Sequence, residues 1–574
     1  MVYRGPSKGC ATCRQRRVKC DETKPCCLKC QNRKVECGGY DRFFDRVHRD
    51  QNATVRRKVH KAEAQADTKI ILASIQNILP SALNVDACEH PWIKRFVLSL
   101  DDESDESIFD RRVLAVLSTV PRHVSKDFEN ECTDVFLTIY SGVNVSKRAV
   151  GGFMHYLFPM LKRIPLDSPL HKAVSAVAVN MAVLWSVRRN ESTVHRSYYV
   201  DAVNSLRKTL SCPDRSRDDD VLMAALLMDF CDALSAHFRG EVECMKRRHQ
   251  MGALALVKHR GSGNFKNEVS KAMMIALQNG VIHNALQSQS SMPPNSQCWF
   301  EHAQMPRGLI SQLDALALPL THALSRAKDA LETFAAINNK ILPDLQTELI
   351  NLDRQYVAWQ GGLPKDCEPH LVWGEKIPFS IRKAGVYRDQ CSVYQDLQIA
   401  NMLNVWRMRR VMLLRTLKEC TIIMHSDEAV SEKFITAELD QATQVLVDGI
   451  CDSIPFFLGD YIDKVPPLQH SPLTFPYYED EHGTIPEDPK AHGWHAACAG
   501  GWLIMTPLIH LCCLSSPVDQ ARPIVLRPGQ RDWIRSQLER LEVAWKLPSR
   551  SWPTNIDGLQ AEKGCLWMSM AHRI

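Results

Sequence analysis

The 574-residue chain is poor in the features that mark secreted proteins, membrane proteins and common enzymes. Its first residues contain no apolar export segment, so we expect a reducing compartment in which cysteines stay free. The apolar run at 496–513 is interrupted by glycine, proline and histidine, which favours a buried helix over a membrane span. Neither a G-x4-G-K-[ST] loop nor an H-E-x-x-H motif occurs. We therefore predict a protein that is not an enzyme and does not enter a membrane.

Residues 1–37 have few aliphatic side chains, and Tyr3 is their one aromatic residue. Such a segment cannot build a hydrophobic core of its own. It does contain seven of the 21 cysteines of the chain. Without an oxidising compartment, cysteines at this density are typical of a metal site. The remaining fourteen are dispersed, and we predict that they are reduced core residues.

Six of the seven cysteines form an internal repeat. The spacing C-x2-C-x6-C occurs at Cys10, Cys13 and Cys20, and again seventeen residues later at Cys27, Cys30 and Cys37. Structural zinc takes four ligands, so two zinc ions need eight bonds from six sulfurs, and two sulfurs must bridge. The symmetric choice is Cys10 with Cys27. Cys26 can replace Cys27 only by breaking the match between the halves, so we interpret Cys26 as a free thiol.

The full pattern, C-x2-C-x6-C-x6-C-x2-C-x6-C, resembles the fungal binuclear zinc cluster transcription factors of the galactose-regulator type. Pro25 lies where that family has a loop proline, and the run from Cys13 to Cys20 matches its basic first helix. The resemblance implies a small zinc-organised two-helix DNA-binding module with two structural zinc ions. It also implies double-stranded DNA as a partner and the nucleus as the location.

Basic charge is concentrated at the N-terminal end of the chain. Residues 1–61 contain 17 Lys and Arg against 6 Asp and Glu, a net charge of +11. The whole chain nets +6, so residues 62–574 must net −5. A basic excess confined to one segment is typical of a surface that binds nucleic acid.

The expected DNA-contacting residues share a positive charge and a position in or beside the repeat: Lys8, Arg14, Arg16, Arg17, Lys19 and Lys34. Arg17 matches the position from which the family reads a CGG triplet, where lysine is more usual. The arginine fork suits that role because it can bond guanine O6 and N7 together. We expect the other residues of the first half mainly to hold phosphates.

Residues 52–79 contain neither Gly nor Pro and are compatible with one helix. A heptad seam of valine and alanine begins at Val55 but is interrupted at Lys69, so a homodimer through a coiled coil and a monomer both stay open. Residues 56–61 also match a nuclear localisation patch. The predicted divisions are the zinc cluster at 1–40, a linker and basic helix at 41–80, a partly flexible acidic connection at 81–130 and a regulatory domain at 131–574.

Hydrophobic periodicity in the large remainder is helical, which predicts an all-α domain. The clearest segments are Leu170–Val187, Val194–Leu210, Val221–Ser235, Ala327–Ile341, Leu397–Leu417 and Trp533–Trp545. Proline-rich connections are expected near 292–294, 363–380 and 465–489. Two stretches, at 249–261 and from Trp494 to Leu508, resemble the regulatory domain that often follows this cluster in filamentous fungi. His492, His495 and Cys498 have a ligand-like spacing, but their apolar surroundings favour a core helix.

These observations together predict a sequence-specific DNA-binding regulator of RNA polymerase II genes that acts through the transcription machinery or a co-regulator. The alternative is a helical interaction scaffold whose zinc module binds RNA or protein. That module would be expected to contain stacking aromatic residues, which residues 1–37 lack apart from Tyr3. An enzyme with a DNA-binding appendage is a third class, and the missing catalytic motifs disfavour it.

Overall fold

A computed structural model describes the chain within two compact units, Met1–Ile75 and Gln76–Ile574. The described ranges are 9–39, 126–141, 152–185, 194–239, 248–261, 265–293, 308–332, 338–424, 429–461, 473–480, 483–485, 492–493, 495–516 and 523–544. The predicted linker helix, its heptad seam, the nuclear localisation patch and most of the acidic connection lie outside these ranges. The divisions at 40, 80 and 130, and a homodimer through 52–79, stay predictions.

The first unit contains two short helices, α1 (Ala11–Gln15) and α2 (Leu28–Gln31). The helices of the second unit are α3 (Lys126–Ser141), α4 (Leu157–Leu161), α5 (Pro169–Trp185), α6 (Val194–Leu210), α7 (Asp219–Arg239), α8 (Arg248–Arg260), α9 (Glu268–Ser288), α10 (Leu309–Glu332), α11 (Asn338–Gly361), α12 (Phe379–Gly385), α13 (Leu397–Met424), α14 (Ala429–Leu458), α15 (Gly501–Leu514) and α16 (Gln530–Ala544). The predicted class, a small zinc-organised two-helix module followed by a large helical domain, is confirmed.

Several helices begin where local sequence rules place a start. Ser168 Oγ accepts a hydrogen bond from the backbone N–H of His171 at 3.3 Å, and Pro169 occupies the first helical position of α5. Asn267 Oδ1 accepts the backbone N–H of Ser270 at 2.7 Å at the start of α9. These caps satisfy N–H groups that the first turn of a helix leaves without intrahelical partners.

Two short antiparallel hairpins are exceptions to the all-α prediction. Strand β1 (His370–Trp373) pairs with β2 (Gln390–Val393), and β3 (Tyr478–Asp480) pairs with β4 (Gly483–Ile485). Both hairpins lie in or beside segments that were expected only to be proline-rich connections. Strands of three or four residues are too short for period-two alternation to be recognised.

The segment with predicted helical periodicity at 327–341 falls on two helices. It contains the end of α10 and the beginning of α11. Residues 333–337, between the two helices, lie outside the described residues.

The apolar run at 496–513 is buried in the core, as predicted. Trp502 Nε1 donates a hydrogen bond to the hydroxyl of Tyr140, 3.1 Å away on α3. Gly500 is required because a Cβ atom there would lie 2.0 Å from the carbonyl oxygen of Phe457. Among the described residues, none of the helices combines the length and apolarity that a bilayer span needs.

His492, the first residue of the ligand-like spacing before this run, is also part of the core. Its Nε2 atom lies 2.9 Å from the carbonyl oxygen of Phe456. Burial lowers the pKa of His492 to about 3, which keeps the imidazole neutral. These contacts agree with the core-helix interpretation of the segment.

The stretch at 249–261, which resembles part of a regulatory domain, contacts the start of α7 through its C-terminal end. Arg260 Nη2 lies 2.5 Å from Asp219 Oδ1, and the guanidinium lies 5.0 Å from the centre of the Phe265 ring. Gly261 follows with a φ of +74°, the left-handed conformation that ends many helices. The motif therefore has a packing role, holding α8 against α7.

Candidate metal centre and nucleic-acid interface

The two halves of the cysteine repeat fold alike. Helices α1 and α2 begin seventeen residues apart, which is the period of the repeat. The backbone N–H of Cys13 points to Cys10 Sγ at 3.4 Å, and the backbone N–H of Cys30 points to Cys27 Sγ at 3.4 Å. In each half the first cysteine therefore accepts a backbone hydrogen bond from the second cysteine of its own pair.

The sulfur atoms lie at distances that suit zinc. Cys10 Sγ is 3.6 Å from Cys27 Sγ and 3.9 Å from Cys30 Sγ, and Cys13 Sγ is 3.7 Å from Cys27 Sγ. A tetrahedron with Zn–S bonds of about 2.3 Å has sulfur–sulfur edges of about 3.8 Å. These sulfurs are therefore close enough together to share zinc ions.

The sulfurs form two overlapping sets of four, in each of which all atoms lie within 4.8 Å of one another. One set is Cys10, Cys13, Cys20 and Cys27, and the other is Cys10, Cys27, Cys30 and Cys37. Cys10 and Cys27 occur in both sets, as bridging sulfurs must. Cys26 occurs in neither set, which agrees with its interpretation as a free thiol.

The thiol groups differ in how readily they lose their protons. Burial raises the pKa of Cys13 and of Cys27, whereas the backbone N–H groups of Cys27 and Gly39 lower the pKa of Cys37 to about 7. Closely packed thiolates repel one another and need a compensating positive charge. Zinc supplies that charge, so metal uptake must release protons from these cysteines.

Sequence reasoning missed Asp21, which organises the second half of the module. Its carboxylate accepts backbone N–H groups from Leu28 at 3.1 Å and Lys29 at 2.9 Å, in the first turn of α2. It also accepts the N–H of Thr23 at 3.1 Å. Although desolvation acts in the opposite direction, the N–H groups of Thr23, Lys29 and Leu28 lower the pKa of Asp21 to about 2. The local Asp-x-Thr turn was the only signal in the sequence.

The ends of the module are joined through Thr12. Its hydroxyl accepts the backbone N–H of Gly38 at 2.8 Å and donates to the carbonyl oxygen of Glu36 at 3.0 Å. The backbone N–H of Ala11 donates to the carbonyl oxygen of Gly39 at 2.9 Å. These bonds bring the last cysteine next to the first, which both sulfur sets require.

Both short helices end in the same way, with a basic residue in an unusual conformation. Arg17 has a φ of 54°, and Lys34, the equivalent residue of the second half, has a φ of 51°. The N–H of Val18 donates to the carbonyl of Cys13 at 3.0 Å, and the N–H of Val35 donates to the carbonyl of Cys30 at 3.1 Å. This is the Schellman ending of a helix, in which glycine usually occupies the left-handed position.

The predicted DNA-contacting residues are only partly on a helix. Arg14 belongs to α1, but the helix ends at Gln15, so Arg16 and Arg17 lie beyond it. The match of Cys13–Cys20 to a basic first helix is corrected in this respect. The side chains of Arg16, Arg17, Lys19 and Lys34 are exposed. Lys8 and the side chain of Arg14 lie outside the described part of the chain.

We predict that Asp21→Asn will speed the transfer of zinc from the full-length chain to a chelator at neutral pH. The neutral amide has one acceptor oxygen in place of two and no charge with which to bind the N–H groups of α2. Because the folded pKa is depressed, the stabilisation is fully present above the ordinary carboxyl pKa of about 3.9 and is lost as the pH falls towards 2.

Glu36→Gln is the matched control for this prediction, since it removes the same charge from an exposed residue of the same module. Colorimetric chelator kinetics would measure both variants. Equal rates of zinc release from Asp21→Asn and Glu36→Gln would show that the hydrogen bonds to the Asp21 carboxylate do not stabilise the metal site.

Comparison with known proteins agrees with this geometry. The family model of the fungal Zn(2)-Cys(6) binuclear cluster domain matches residues 8–47. An uncharacterized transcriptional regulatory protein of Schizosaccharomyces pombe is 38% identical over 92 residues, which cover 14% of this chain and 17% of that protein. The transcriptional regulatory protein moc3 of the same organism is 66% identical over 32 residues, or 6% of each chain. These matches span only a small part of either relative.

Longer matches extend into the helical remainder. The aspercryptin biosynthesis cluster-specific transcription regulator atnN of Emericella nidulans is 23% identical over 426 residues, covering 71% of this chain and 59% of that protein. The transcription factor dbaG of the same organism is 22% identical, covering 57% of this chain and 73% of that protein. No solved structure matches the chain. The chain therefore carries a fungal Zn(2)-Cys(6) binuclear cluster domain, the domain that its cysteine spacing resembled, ahead of a large helical remainder related to fungal transcription regulators.

Proposed function

We propose that the chain is a zinc-dependent, sequence-specific DNA-binding regulator of transcription by RNA polymerase II that acts in the nucleus and reads CGG-type triplets. In this proposal the six cysteines hold two structural zinc ions, with Cys10 and Cys27 as the bridging ligands. Every coordination position is filled by sulfur, so the metal organises the module and leaves no open position for a reactive water.

The observation that carries the proposal is the pair of exposed basic residues in the left-handed position, Arg17 and Lys34. A residue with a Cβ atom pays about 1 kcal/mol for this conformation, which glycine adopts without cost. Strain of this kind is retained where a side chain has a function. A zinc-held turn that presents an arginine outward is suited to reading a base edge.

Charge supports the same conclusion. Residues 1–37 contain ten Lys and Arg and three Asp and Glu, a net charge of +7. Two zinc ions with six thiolates add −2, which leaves about +5 to face phosphates. The helical remainder, with its net negative charge, is proposed to act on the transcription machinery or a co-regulator.

We predict that Arg17→Gly will keep both zinc ions and lose base discrimination. Glycine suits the left-handed turn, so the module should fold at least as well as the wild type. The free energy of binding to a CGG duplex should become less favourable by about 1–3 kcal/mol. Fluorescence anisotropy with duplexes that carry CGG or a single changed guanine would measure this. Lys34→Gly is the matched control, and we expect it to weaken all sequences alike.

Lys19→Ala separates phosphate contacts from base contacts. It should weaken binding to specific and nonspecific duplexes equally. If Lys19 neutralises one phosphate, the slope of log binding constant against log salt concentration should become shallower by about 0.9. If Arg17→Gly also weakens all duplexes equally, Arg17 is a phosphate contact and our assignment is wrong. Stronger competition by single-stranded RNA than by duplex DNA would favour the RNA-binding alternative.

A further inference from the structure

A pair of arginines lies on the surface of the helical remainder, where the turn before β2 and the segment before α16 both meet α14. Arg388 and Arg527 each donate to Oδ2 of Asp448 from a nitrogen 2.8 Å away. Two guanidinium groups that share one oxygen must lie side by side. The Asp448 side chain is 10% exposed, whereas the two arginine side chains are 44% and 46% exposed. The carboxylate is therefore covered by two positive charges that contact solvent.

Asp448 cannot satisfy both arginines completely. Its Oδ1 atom also accepts the side-chain amides of Gln444 at 2.7 Å and Gln530 at 3.1 Å, so both of its oxygens are occupied. A guanidinium has five N–H donors. Within the described part of the chain, Arg388 makes its only hydrogen bond through Nη1, and Nη1 of Arg527 makes none. Free donors beside an excess of positive charge suit a second carboxylate.

The backbone holds Arg388 in this position at a conformational cost. Arg388 and Asp389 have φ angles of 56° and 54°, in the left-handed region. The N–H of Gln390 donates to the carbonyl oxygen of Tyr387 at 3.3 Å, which closes a turn around these two residues. Asn and Gly usually occupy such a turn, because most side chains with a Cβ atom are strained there. An arginine retained in this conformation favours a function for its side chain.

Charge in the segments that carry the two arginines has the same sign. Residues 374–390 contain four Lys and Arg against two Asp and Glu, and residues 523–535 contain three Arg against one Asp. Each segment therefore nets +2, although residues 62–574 as a whole net −5. Asp448 and Asp452, the carboxylates of α14 that bond to these segments, reduce their sum from +4 to +2. The surface is thus locally positive in a domain that is negative overall.

Exposed apolar side chains of β1 adjoin the arginine pair. Trp373 pairs with Gln390, two residues after Arg388, so the end of β1 lies beside the strained turn. Trp373 is 56% exposed, and Leu371, two residues earlier on the same face of the strand, is 40% exposed. Exposed apolar groups that lie close together are typical of surfaces that a partner covers.

We propose that Arg388, Arg527 and the exposed face of β1 form a docking surface for an acidic peptide segment of a co-regulator. A carboxylate of the segment bonds to both guanidinium groups, and neighbouring apolar side chains pack against Leu371 and Trp373. This inference rests on the proposed action on a co-regulator and names the chemistry of that partner. All residues of the surface lie in the helical remainder, so its test is separate from that of DNA binding.

A labelled peptide of three leucines followed by three aspartates, with both ends blocked, is a suitable probe. Fluorescence anisotropy with the full-length, zinc-loaded chain should show saturable binding that weakens as salt is added. A peptide with asparagine in place of aspartate, and one with serine in place of leucine, should each bind about tenfold more weakly. Equal binding of either altered peptide, or no saturable binding of the leucine–aspartate peptide, would overturn the proposal.

Arg388→Gly tests the arginine pair without straining the turn. Glycine adopts the left-handed conformation freely, so the variant should retain the fold, which circular dichroism would check. The substitution should weaken binding of the leucine–aspartate peptide by about fivefold, the effect of one lost hydrogen bond, and leave binding of the asparagine peptide unaffected. An unchanged affinity for the leucine–aspartate peptide would contradict the proposed role of Arg388.

Arg326→Gln is the matched control, because Arg326 is similarly exposed but has its own partner, Glu348, at 2.7 Å. This variant should bind the leucine–aspartate peptide as the wild type does, whereas Trp373→Ser should bind it more weakly. Addition of duplex DNA should not displace the peptide. Displacement would place the peptide on a nucleic-acid-binding surface and overturn the proposal, whereas a failure to bind duplex DNA would count only against the proposed function.

Discussion

Stripping zinc from the full-length chain should abolish its binding to duplex DNA and leave the helical remainder folded. The buried side chains of the module include the sulfurs of Cys10, Cys13, Cys27 and Cys30. Structural zinc contributes on the order of 10 kcal/mol to the folding of small domains, more than a segment with so few apolar residues can obtain otherwise. Metal analysis, DNA anisotropy and circular dichroism before and after chelation would measure the three expected results.

Two neighbouring cysteines provide the control for the metal assignment. Cys26→Ala should retain two zinc ions per chain, whereas Cys27→Ala should not, because only Cys27 belongs to the sulfur sets. The reverse result would move the bridging role to Cys26. One zinc per wild-type chain would contradict the shared-sulfur arrangement, and loss of helicity on chelation would contradict the independence of the remainder.

Arg409→Met should lower the free energy of unfolding of the helical remainder by about 3–5 kcal/mol. Arg409 and Asp314 are each 5% exposed, and their closest atoms lie 2.8 Å apart. Methionine fills much of the volume but leaves the carboxylate buried without its counter-charge. Chemical denaturation followed by circular dichroism would measure the loss.

The pH dependence of the stability of Arg409→Met shows whether the buried charge of Asp314 causes the loss. Burial raises the pKa of Asp314, so without the arginine the ionised carboxylate is the destabilising form. The loss of unfolding free energy should therefore be largest above the raised pKa of Asp314 in the folded protein. It should shrink as the pH falls towards the ordinary carboxyl pKa of about 3.9. A loss of stability that does not change with pH would point to packing as the cause.

Arg326→Met is the matched control, because Arg326 forms a comparable 2.7 Å contact with Glu348 at the surface, where the two side chains are 48% and 33% exposed. Exposed ion pairs contribute about 0–1 kcal/mol. The double variant Arg409→Met with Asp314→Leu should recover most of the lost stability, since it removes both buried charges together. Failure of the double variant to recover would indicate that the pair fixes the packing of α10 and α13.

The sulfur cluster was predictable from the sequence because its six cysteines come from two short copies of one local pattern. Each half places its first two cysteines around one helical turn, and the match between halves identified Cys10 and Cys27 as equivalent. The left-handed turns at Arg17 and Lys34 were not predictable, since basic residues seldom occupy that conformation. The capping role of Asp21 was also missed, because its partners lie seven and eight residues further along the chain.

Among the helices, α6 has the predicted bounds, Val194–Leu210, because its apolar period and its ends coincide. The hairpin of β1 and β2 was missed because its strands have four residues each and pair across a helix, α12. Burial and pairing partners, and not local propensity, decide such short elements.

The amino-acid sequence by itself determined which six cysteines form the sulfur cluster, the basic N-terminal segment and the helical class of the remainder. These follow from residue type, charge and periodicity, which act over a few turns of chain. The tertiary structure alone decided which buried polar groups meet: Arg409 with Asp314 across 95 residues, and Gln287 with His510 across 223. Such pairs form because burying a polar group costs free energy unless it gains a hydrogen-bond partner. Which partner is within reach depends on how the helices pack.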